Sequence, residues 1–186
     1  ADVFDPIDAT LATAMRTRGA ALLSALRSEW SGRWYPRAWL RDASNAPVLI
    51  GGDSAPLWLE TQPWALLANA PDATMRATLD WIWQNWNGPD TGGWEYPGIA
   101  MTAARLGEPE RAVDALLLDT PKNHYGLNGH VYQRPGLTIY LPANGGLLYA
   151  VALMAAGWDG APQRNAPGFP DNGQWNVRWE NLRVAP

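Results

Sequence analysis

Helix-periodic segments separated by long loops rich in glycine and proline constrain the fold of this chain most strongly. In residues 6–29, apolar side chains recur at steps of three and four residues, and Pro6 suits the first turn of a helix. The third predicted helix starts at Asp72 as its N-cap and turns its apolar residues inward, among them Trp83. Similar signals predict helices at 56–69, 98–106, 109–118 and 144–156.

Two segments depart from this helical pattern. Residues 33–50 predict a short β-hairpin, and the tail ends in a strand-like segment at 175–180. The six helices form three antiparallel pairs, and their elaborated loops predict part of an (α/α)6 toroid. We therefore predict an all-α fold with a short β-hairpin, in which residues 1–157 form a partial toroid domain and residues 158–186 a C-terminal extension that packs on it.

Composition excludes several classes of function. With 14 basic and 18 acidic residues the net charge is −4, and no basic stripe of the kind that nucleic-acid binding requires is present. The chain has no cysteine, which suits a reducing cytosol and a bacterial periplasm equally. No apolar run is long enough to span a membrane, and no nucleotide-binding motif appears. We predict no cofactor, no nucleic-acid partner and no membrane partner.

The aromatic composition points to carbohydrate. The chain has 12 tryptophans and 2 phenylalanines, although phenylalanine fills a core without an N–H that needs a partner. Several tryptophans lie beside polar groups: Trp34 near Arg37, Trp64 next to Gln62, and Trp94 against Glu95. Stacking faces next to carboxylates and amides suit a sugar ring. The alternative is that these tryptophans fill the seams between helices.

Three segments resemble the six-hairpin (α/α)6-barrel glycosidase superfamily. The residues Gly-Arg-Trp-Tyr-Pro-Arg-Ala-Trp at 32–39, followed by Glu-Thr-Gln-Pro-Trp-Ala-Leu at 60–66, resemble a pattern in the catalytic barrel of cellobiose and chitobiose phosphorylases. Residues 140–148 are similar to a late barrel helix of maltose-phosphorylase-like enzymes and of toroid-type α-L-fucosidases. Residues 173–182 resemble the start of the β-rich cap that follows the barrel in those enzymes.

The resemblance implies a glycoside hydrolase or phosphorylase that acts on an oligosaccharide or glycoside by carboxylate acid–base catalysis. Such enzymes have six hairpins and an N-terminal β-sandwich, so this chain is expected to be the C-terminal barrel portion. Its partner would then be the missing N-terminal part of the same enzyme, which usually carries the proton-donating carboxylate. Residues 158–186 would start the β-cap.

Three carboxylates are candidates for the catalytic roles, since glycoside cleavage uses a pair of them. Asp53 follows two glycines at the start of a predicted helix. The alternative is that it only caps the N-terminus of that helix. Glu60 lies between two tryptophans on the second predicted helix, and the alternative is an exposed glutamate paired with an arginine. Glu95, between Trp94 and a tyrosine after a glycine-rich loop, occupies the best loop position for contact with a sugar.

The predicted substrate-binding residues combine aromatic platforms with groups that bind hydroxyls. Each has a structural alternative: an ion pair for the arginine, solvation for the loop histidines, and helix capping for the asparagine. The two histidines lie six residues apart on a loop without an obvious third ligand, so we predict no metal site. The set is Trp34, Arg37, Gln62, Trp64, Trp94, His124, His130 and Asn144.

Two other functions fit the same residues. A non-catalytic carbohydrate-binding or structural half-barrel would bring tryptophans together without a pair of carboxylates. A helical scaffold for a protein partner would show a broad apolar patch and scattered tryptophans. The arrangement of the carboxylates and tryptophans around one pocket separates these functions.

Overall fold

The computed structural model describes residues 5–52, 62, 65, 72–85 and 91–185. The chain divides into two compact units, Ala1–Thr74 and Met75–Pro186, and each is described by itself. The described residues are mostly helical, with one small two-stranded antiparallel sheet. This confirms the predicted helical class and the β-hairpin, whereas the toroid and the domain boundary at residue 157 stay predictions.

Helix α1 of the first unit spans Ala9–Ser28. It begins later than predicted, because the carboxylate of Asp8 accepts the backbone N–H of Leu11 at 2.9 Å and caps the helix there. Pro6 lies in the turn before this cap rather than in the first helical turn. Ala12 is the buried residue of α1, so most of this helix faces away from the described core of its unit.

The predicted hairpin is formed by strands β1 (Ala38–Arg41) and β2 (Pro47–Ile50). They pair antiparallel, with Ala38 opposite Ile50 and Arg41 opposite Pro47. Asp42 organises the turn between them: its carboxylate accepts the Ser44 hydroxyl at 2.7 Å, the Ala46 N–H at 2.9 Å and the Ser44 N–H at 2.8 Å. These hydrogen bonds favour the ionised carboxylate and lower the pKa of Asp42.

Helix α2 spans Asp72–Asn85 and lies mostly in the second unit. Met75, Leu79 and Ile82 are buried as predicted. Trp83 is 38 % exposed instead, and the Arg111 guanidinium lies over its ring at 5.5 Å from the centroid. The expectation of an inward Trp83 is therefore wrong, since a cationic side chain covers its ring in place of the core.

Three further helices build the rest of the second unit: α3 (Glu95–Arg105), α4 (Pro109–Leu116) and α5 (Leu141–Ala156). Pro109 occupies the first turn of α4, as predicted. α3 and α5 each begin three residues earlier than the sequence pattern indicates. In α5, Pro142 is accommodated in the first turn, so the Asn-Gly-Gly segment at 144–146 lies inside the helix and does not open it.

Helix α3 is the centre of this unit, and its residues 96–100 and 102–104 are buried. The starts of α3 and α5 lie side by side. A Cβ atom placed on Gly146 of α5 would lie 3.2 Å from two ring carbons of Pro97 in α3. A Cβ on Gly93, just before α3, would lie 3.2 Å from the Cβ of Ala143. The two helices thus begin at one edge of the unit.

The C-terminal segment from Gly157 to Ala185 is irregular. The backbones of Trp158 and Ala185 form an isolated parallel bridge, and the N–H of Gly168 donates to the carbonyl of Met154 in α5 at 2.9 Å. Residues 166–170 are buried against that helix end. Residues 175–180 form no strand, because no neighbouring strand lies beside them in the described part of the chain. The strand-like tail expected from the sequence is therefore wrong.

Candidate functional site

The best candidate site is the edge of the second unit at which α3 and α5 begin. We call it the rim and define it as residues 91–97, 119–133 and 140–146. The loop between α4 and α5 lies over this edge, held by a short 3₁₀ helix at Pro121–Asn123 and by a bridge between Tyr125 and Val131. Polar side chains from the rim segments therefore come together at the ends of two helices.

Hydrogen bonds from the long loop fix the residues that lead into α3. The N–H of Gly93 donates to the amide oxygen of Gln133 at 2.9 Å, and the Lys122 ammonium donates to the carbonyl of Thr91 at 2.7 Å. Gly93 has no space for a side chain, because a Cβ would lie 2.6 Å from the carbonyl oxygen of Lys122. The position of the Trp94 and Glu95 backbone is thus set by contacts on both sides.

A buried tyrosine ties the same segments together from beneath. The Tyr96 hydroxyl lies 2.8 Å from the hydroxyl of Thr91 and accepts the hydroxyl of Thr120 at 2.8 Å. Tyr96 is 1 % exposed, so these hydrogen bonds are sheltered from water. They join the entry to α3 to the start of the long loop.

Glu95 is half-buried in the first turn of α3, where a negative charge is favoured by the helix dipole. Its carboxylate accepts the backbone N–H of Gly92. Partial burial raises the pKa of the Tyr140 phenol, and the negative charge of Glu95 raises it further. The rim thus pairs an ionised acceptor with a phenol that stays protonated and able to donate.

Trp94 presents an aromatic surface beside this pair. Its side chain is 36 % exposed, and its indole lies against Gly92, where a Cβ would come within 2.9 Å of the Cδ1 atom. The ring is therefore held by the backbone of its own loop while part of its surface faces solvent. A partly exposed indole next to a carboxylate is the arrangement expected for a sugar platform.

His130 and Asn144 supply two polar atoms that have no partner among the residues that the structure describes. The amide nitrogen of Asn144 donates to the carbonyl of Gly129 at 2.6 Å, whereas its amide oxygen is buried without a hydrogen bond. The Nδ1 atom of His130 is also buried without a hydrogen bond. Because buried polar atoms are nearly always hydrogen-bonded, these two are available to a water or to a ligand hydroxyl.

His124 lies on the same loop but in a different setting. Its side chain is exposed, and its Nε2 atom lies 2.6 Å from the carboxylate of Asp119. Such an exposed pair contributes little to stability and leaves the histidine in contact with water. The structure places His124 in this hydrogen-bonded pair, and its predicted role in binding stays a prediction.

The predicted binding residues of the first unit that the structure describes take part mainly in its packing. Trp34 is 3 % exposed, its indole N–H donates to the Gly51 carbonyl at 3.2 Å, and the Arg33 guanidinium lies over its ring. Gln62 is buried; its amide oxygen accepts the N–H of Tyr35, and its amide nitrogen donates to the Tyr35 carbonyl. Arg37 is exposed next to the start of β1. These positions favour packing for Trp34 and Gln62.

Three predicted residues, Asp53, Glu60 and Trp64, lie outside the described residues. The proposed convergence of Asp53 and Glu60 with Glu95 therefore stays a prediction. In the parts of the chain that the structure covers, no group of three or more metal-binding side chains occurs, and no helix is long and apolar enough to cross a membrane.

Sequence reasoning missed two rim residues, Tyr140 and Gln133. Tyr140 directly precedes the Leu-Pro pair that starts α5, a position at a helix entrance that could have identified it. Gln133 carries no local signal, because its importance comes from its bond to Gly93, 40 residues away in sequence.

Comparison with protein-family models, with curated proteins and with solved structures finds no match to this chain. The functional assignment therefore rests on the chemistry of the rim and on the resemblance of the three sequence segments.

Proposed function

We propose that this chain is a carbohydrate-active protein: the C-terminal barrel portion of a glycoside hydrolase or phosphorylase, with the sugar bound at the rim. The observation that carries the proposal is the grouping of Trp94, Glu95 and Tyr140 where α3 and α5 begin. It places an exposed indole, an ionised carboxylate and a protonated phenol at one edge.

The chemistry of the rim suits a neutral polyhydroxyl ligand. A sugar ring needs a flat apolar surface for its C–H face and both donors and acceptors for its hydroxyls. Trp94 offers the surface, Glu95 the acceptor and Tyr140 the donor. The buried, unpartnered atoms of His130 and Asn144 add two positions where a hydroxyl would recover a missing hydrogen bond.

The arrangement of helices is compatible with part of an (α/α)6 toroid. Helices α3 and α4 form a hairpin with a three-residue connection, and α5 begins beside α3. In a ring of helical hairpins, alternate helices start at the same edge and the loops at that edge surround the ligand. In a toroid the rim would be such an edge, which is the reason for proposing that the substrate binds there.

Glu95 is suited to act as a base or to orient a hydroxyl rather than to donate a proton. The N–H of Gly92 and the start of α3 both stabilise its ionised form. A second carboxylate would have to serve as the acid, at roughly 5–9.5 Å from the first, as in retaining or inverting enzymes. The catalytic roles of Asp53 and Glu60, which lie outside the described residues, stay predictions.

A non-catalytic carbohydrate-binding role is the second candidate. It is favoured by the same hydrogen bond, since a carboxylate that accepts the N–H of Gly92 holds the turn at 92–95 that leads into its own helix and so has a structural role. In that case the rim would bind sugar without cleaving it.

Binding and turnover of glycosides test the proposal. The full chain is screened on a glycan array, and chromogenic glycosides of the sugars that bind are then assayed with and without inorganic phosphate. We expect Glu95→Gln to lower turnover by about 100-fold or more, the effect of losing an acid–base group. Glu110→Gln, at an exposed position of α4, is the matched control and should leave turnover unchanged.

The outcomes separate the two candidates. Binding without turnover, in a chain whose Glu95→Gln variant still binds, would favour the non-catalytic role. Absence of binding to any glycan would contradict both.

A further inference from the structure

A cavity of about 240 Å³ lies in the irregular C-terminal segment of the second unit. Its walls come from residues 164–177, none of which belongs to the rim. The lining combines two aromatic rings with an arginine, an asparagine and an aspartate: Phe169, Trp175, Arg164, Asn165 and Asp171. The volume is smaller than the roughly 300 Å³ at which pockets for drug-sized ligands begin, so one sugar-sized ring would fill it.

Internal contacts build this cavity in the absence of a ligand. The Arg164 guanidinium donates through one nitrogen to the carbonyls of Pro167 and Phe169, at 3.1 and 2.6 Å. The amide of Asn165 donates to the carbonyl of Val177 at 3.0 Å, which joins the two sides of the segment. The cavity is therefore formed before binding, which lowers the entropic cost of binding a ligand.

The aromatic wall has one buried and one exposed member. Phe169 is 8 % exposed, and Trp175 is 41 % exposed with its ring centroid 5.5 Å from that of Phe169. The phenyl ring thus supports the indole from behind while the indole keeps an accessible surface. A supported indole at the mouth of a polar cavity can stack on a ligand without rearranging.

Polar groups of opposite charge remain available around the cavity. The Nε and Nη1 groups of Arg164 donate to no described residue, and the exposed carboxylate of Asp171 accepts from none. One positive and one negative group balance each other, so a ligand with a net charge gains little over a neutral one. Hydroxyl groups can accept from the arginine and donate to the aspartate at the same time.

We propose that this cavity is a second carbohydrate site, which binds a single neutral pyranose ring through stacking on Trp175 and hydroxyl contacts to Arg164 and Asp171. The site goes beyond the function proposed for the rim and shares no residue with it. Its failure and the failure of the rim can therefore be observed separately.

The test uses the full chain labelled with 5-fluorotryptophan and followed by ¹⁹F NMR. The variant Trp175→Phe identifies the resonance of Trp175. The methyl pyranosides of glucose, galactose, mannose and fucose are then titrated as probes. We expect at least one of them to shift the Trp175 resonance with a Kd of about 1–10 mM, an affinity usual for one sugar ring with few contacts.

Further variants locate the contacts. Asp171→Asn should weaken binding of that pyranoside by about tenfold, because a hydrogen bond to a charged acceptor is lost. Glu95→Gln should leave the shift of Trp175 unchanged. Trp179→Phe removes a tryptophan of similar exposure (39 %) from the same segment and is the matched control, which should not alter the affinity.

Two results would overturn this assignment. One is the absence of any shift of the Trp175 resonance with all the neutral pyranosides. The other is a charged probe, glucuronate or glucosamine, that binds at least tenfold more tightly than the best neutral pyranoside.

Discussion

Two adjacent glycines of α5 offer a matched test of how the rim is packed. Gly145 and Gly146 both lie early in the helix, but only Gly146 faces α3. A Cβ on Gly145 would meet no atom within 4 Å, whereas a Cβ on Gly146 would lie 3.2 Å from both the Cβ and the Cγ of Pro97. We therefore compare Gly145→Ala with Gly146→Ala.

The two substitutions share one contribution and differ in another. Replacing glycine by alanine inside a helix stabilises it by about 0.5–1 kcal/mol. At Gly145 this gain is unopposed. At Gly146 the new methyl group is closer than the ordinary carbon–carbon contact of about 3.5–4.0 Å, and it meets a buried, rigid proline ring that cannot rotate away. Overpacking of this kind costs about 1–3 kcal/mol, so we expect the two variants to differ by about that amount.

Urea unfolding, followed by circular dichroism and by tryptophan fluorescence, measures this difference. The free energy of unfolding should rise in Gly145→Ala and should fall or stay unchanged in Gly146→Ala. An equal rise in both variants would refute the close approach of α5 to α3, and with it the description of the rim as the shared start of these helices.

Three further predictions concern the rim and its support. Spectrophotometric titration should show that the pKa of Tyr140 lies above its ordinary value of 10.0, and Glu95→Gln should lower it, because one of the two causes of the shift is removed; an unchanged pKa in the variant would contradict their proximity. Tyr96→Phe should lower the free energy of unfolding by about 1–3 kcal/mol, since the hydroxyls of Thr91 and Thr120 each lose a hydrogen bond; the exposed Tyr149→Phe is its control, and equal effects would contradict the network. Asn123→Ala should cost a similar amount in urea unfolding, because its amide donates to the carbonyls of Ala115 and Leu116 in the last turn of α4 and of Leu118 just after it; an unchanged midpoint would argue against this cap.

The raised pKa of Tyr140 also has a consequence for stability at high pH. Because the neutral phenol is favoured in the folded chain, this contribution is fully present below the pKa of the unfolded chain. It is lost as the pH rises from about 10 through the pKa of the folded chain. Tyr140→Phe should therefore show a smaller loss of stability above pH 10 than the unchanged chain.

The helices could be predicted from the sequence because they depend on the local periodicity of apolar residues and on nearby proline, capping and turn residues. Pro109 marks the first turn of α4, and the hairpin at 38–50 follows from its turn residues. The starts of α3 and α5 were misplaced, since Pro97 and Pro142 lie within the first turns of helices that begin before them.

The candidate site was harder to predict, because it depends on contacts between distant segments. Glu95 and Trp94 could be identified from the glycine-rich loop before them. Gly93 donates a hydrogen bond to Gln133, and Glu95 raises the pKa of Tyr140. In both cases the two residues are far apart in the sequence, so no local pattern predicts the contact. The high tryptophan content alone did not distinguish the buried Trp34 from the exposed Trp94, since composition does not report burial.

Binding of an oligosaccharide to a variant at Trp94 tests the central claim most directly. A glycan identified on the array is titrated by isothermal calorimetry into the full chain, into Trp94→Ala and into the control Trp179→Phe. If the rim is the sugar site, Trp94→Ala should weaken binding by about tenfold, which corresponds to a loss of about 1.4 kcal/mol, and Trp179→Phe should bind as the unchanged chain does. Full affinity in Trp94→Ala would contradict the assignment of the rim as the carbohydrate site.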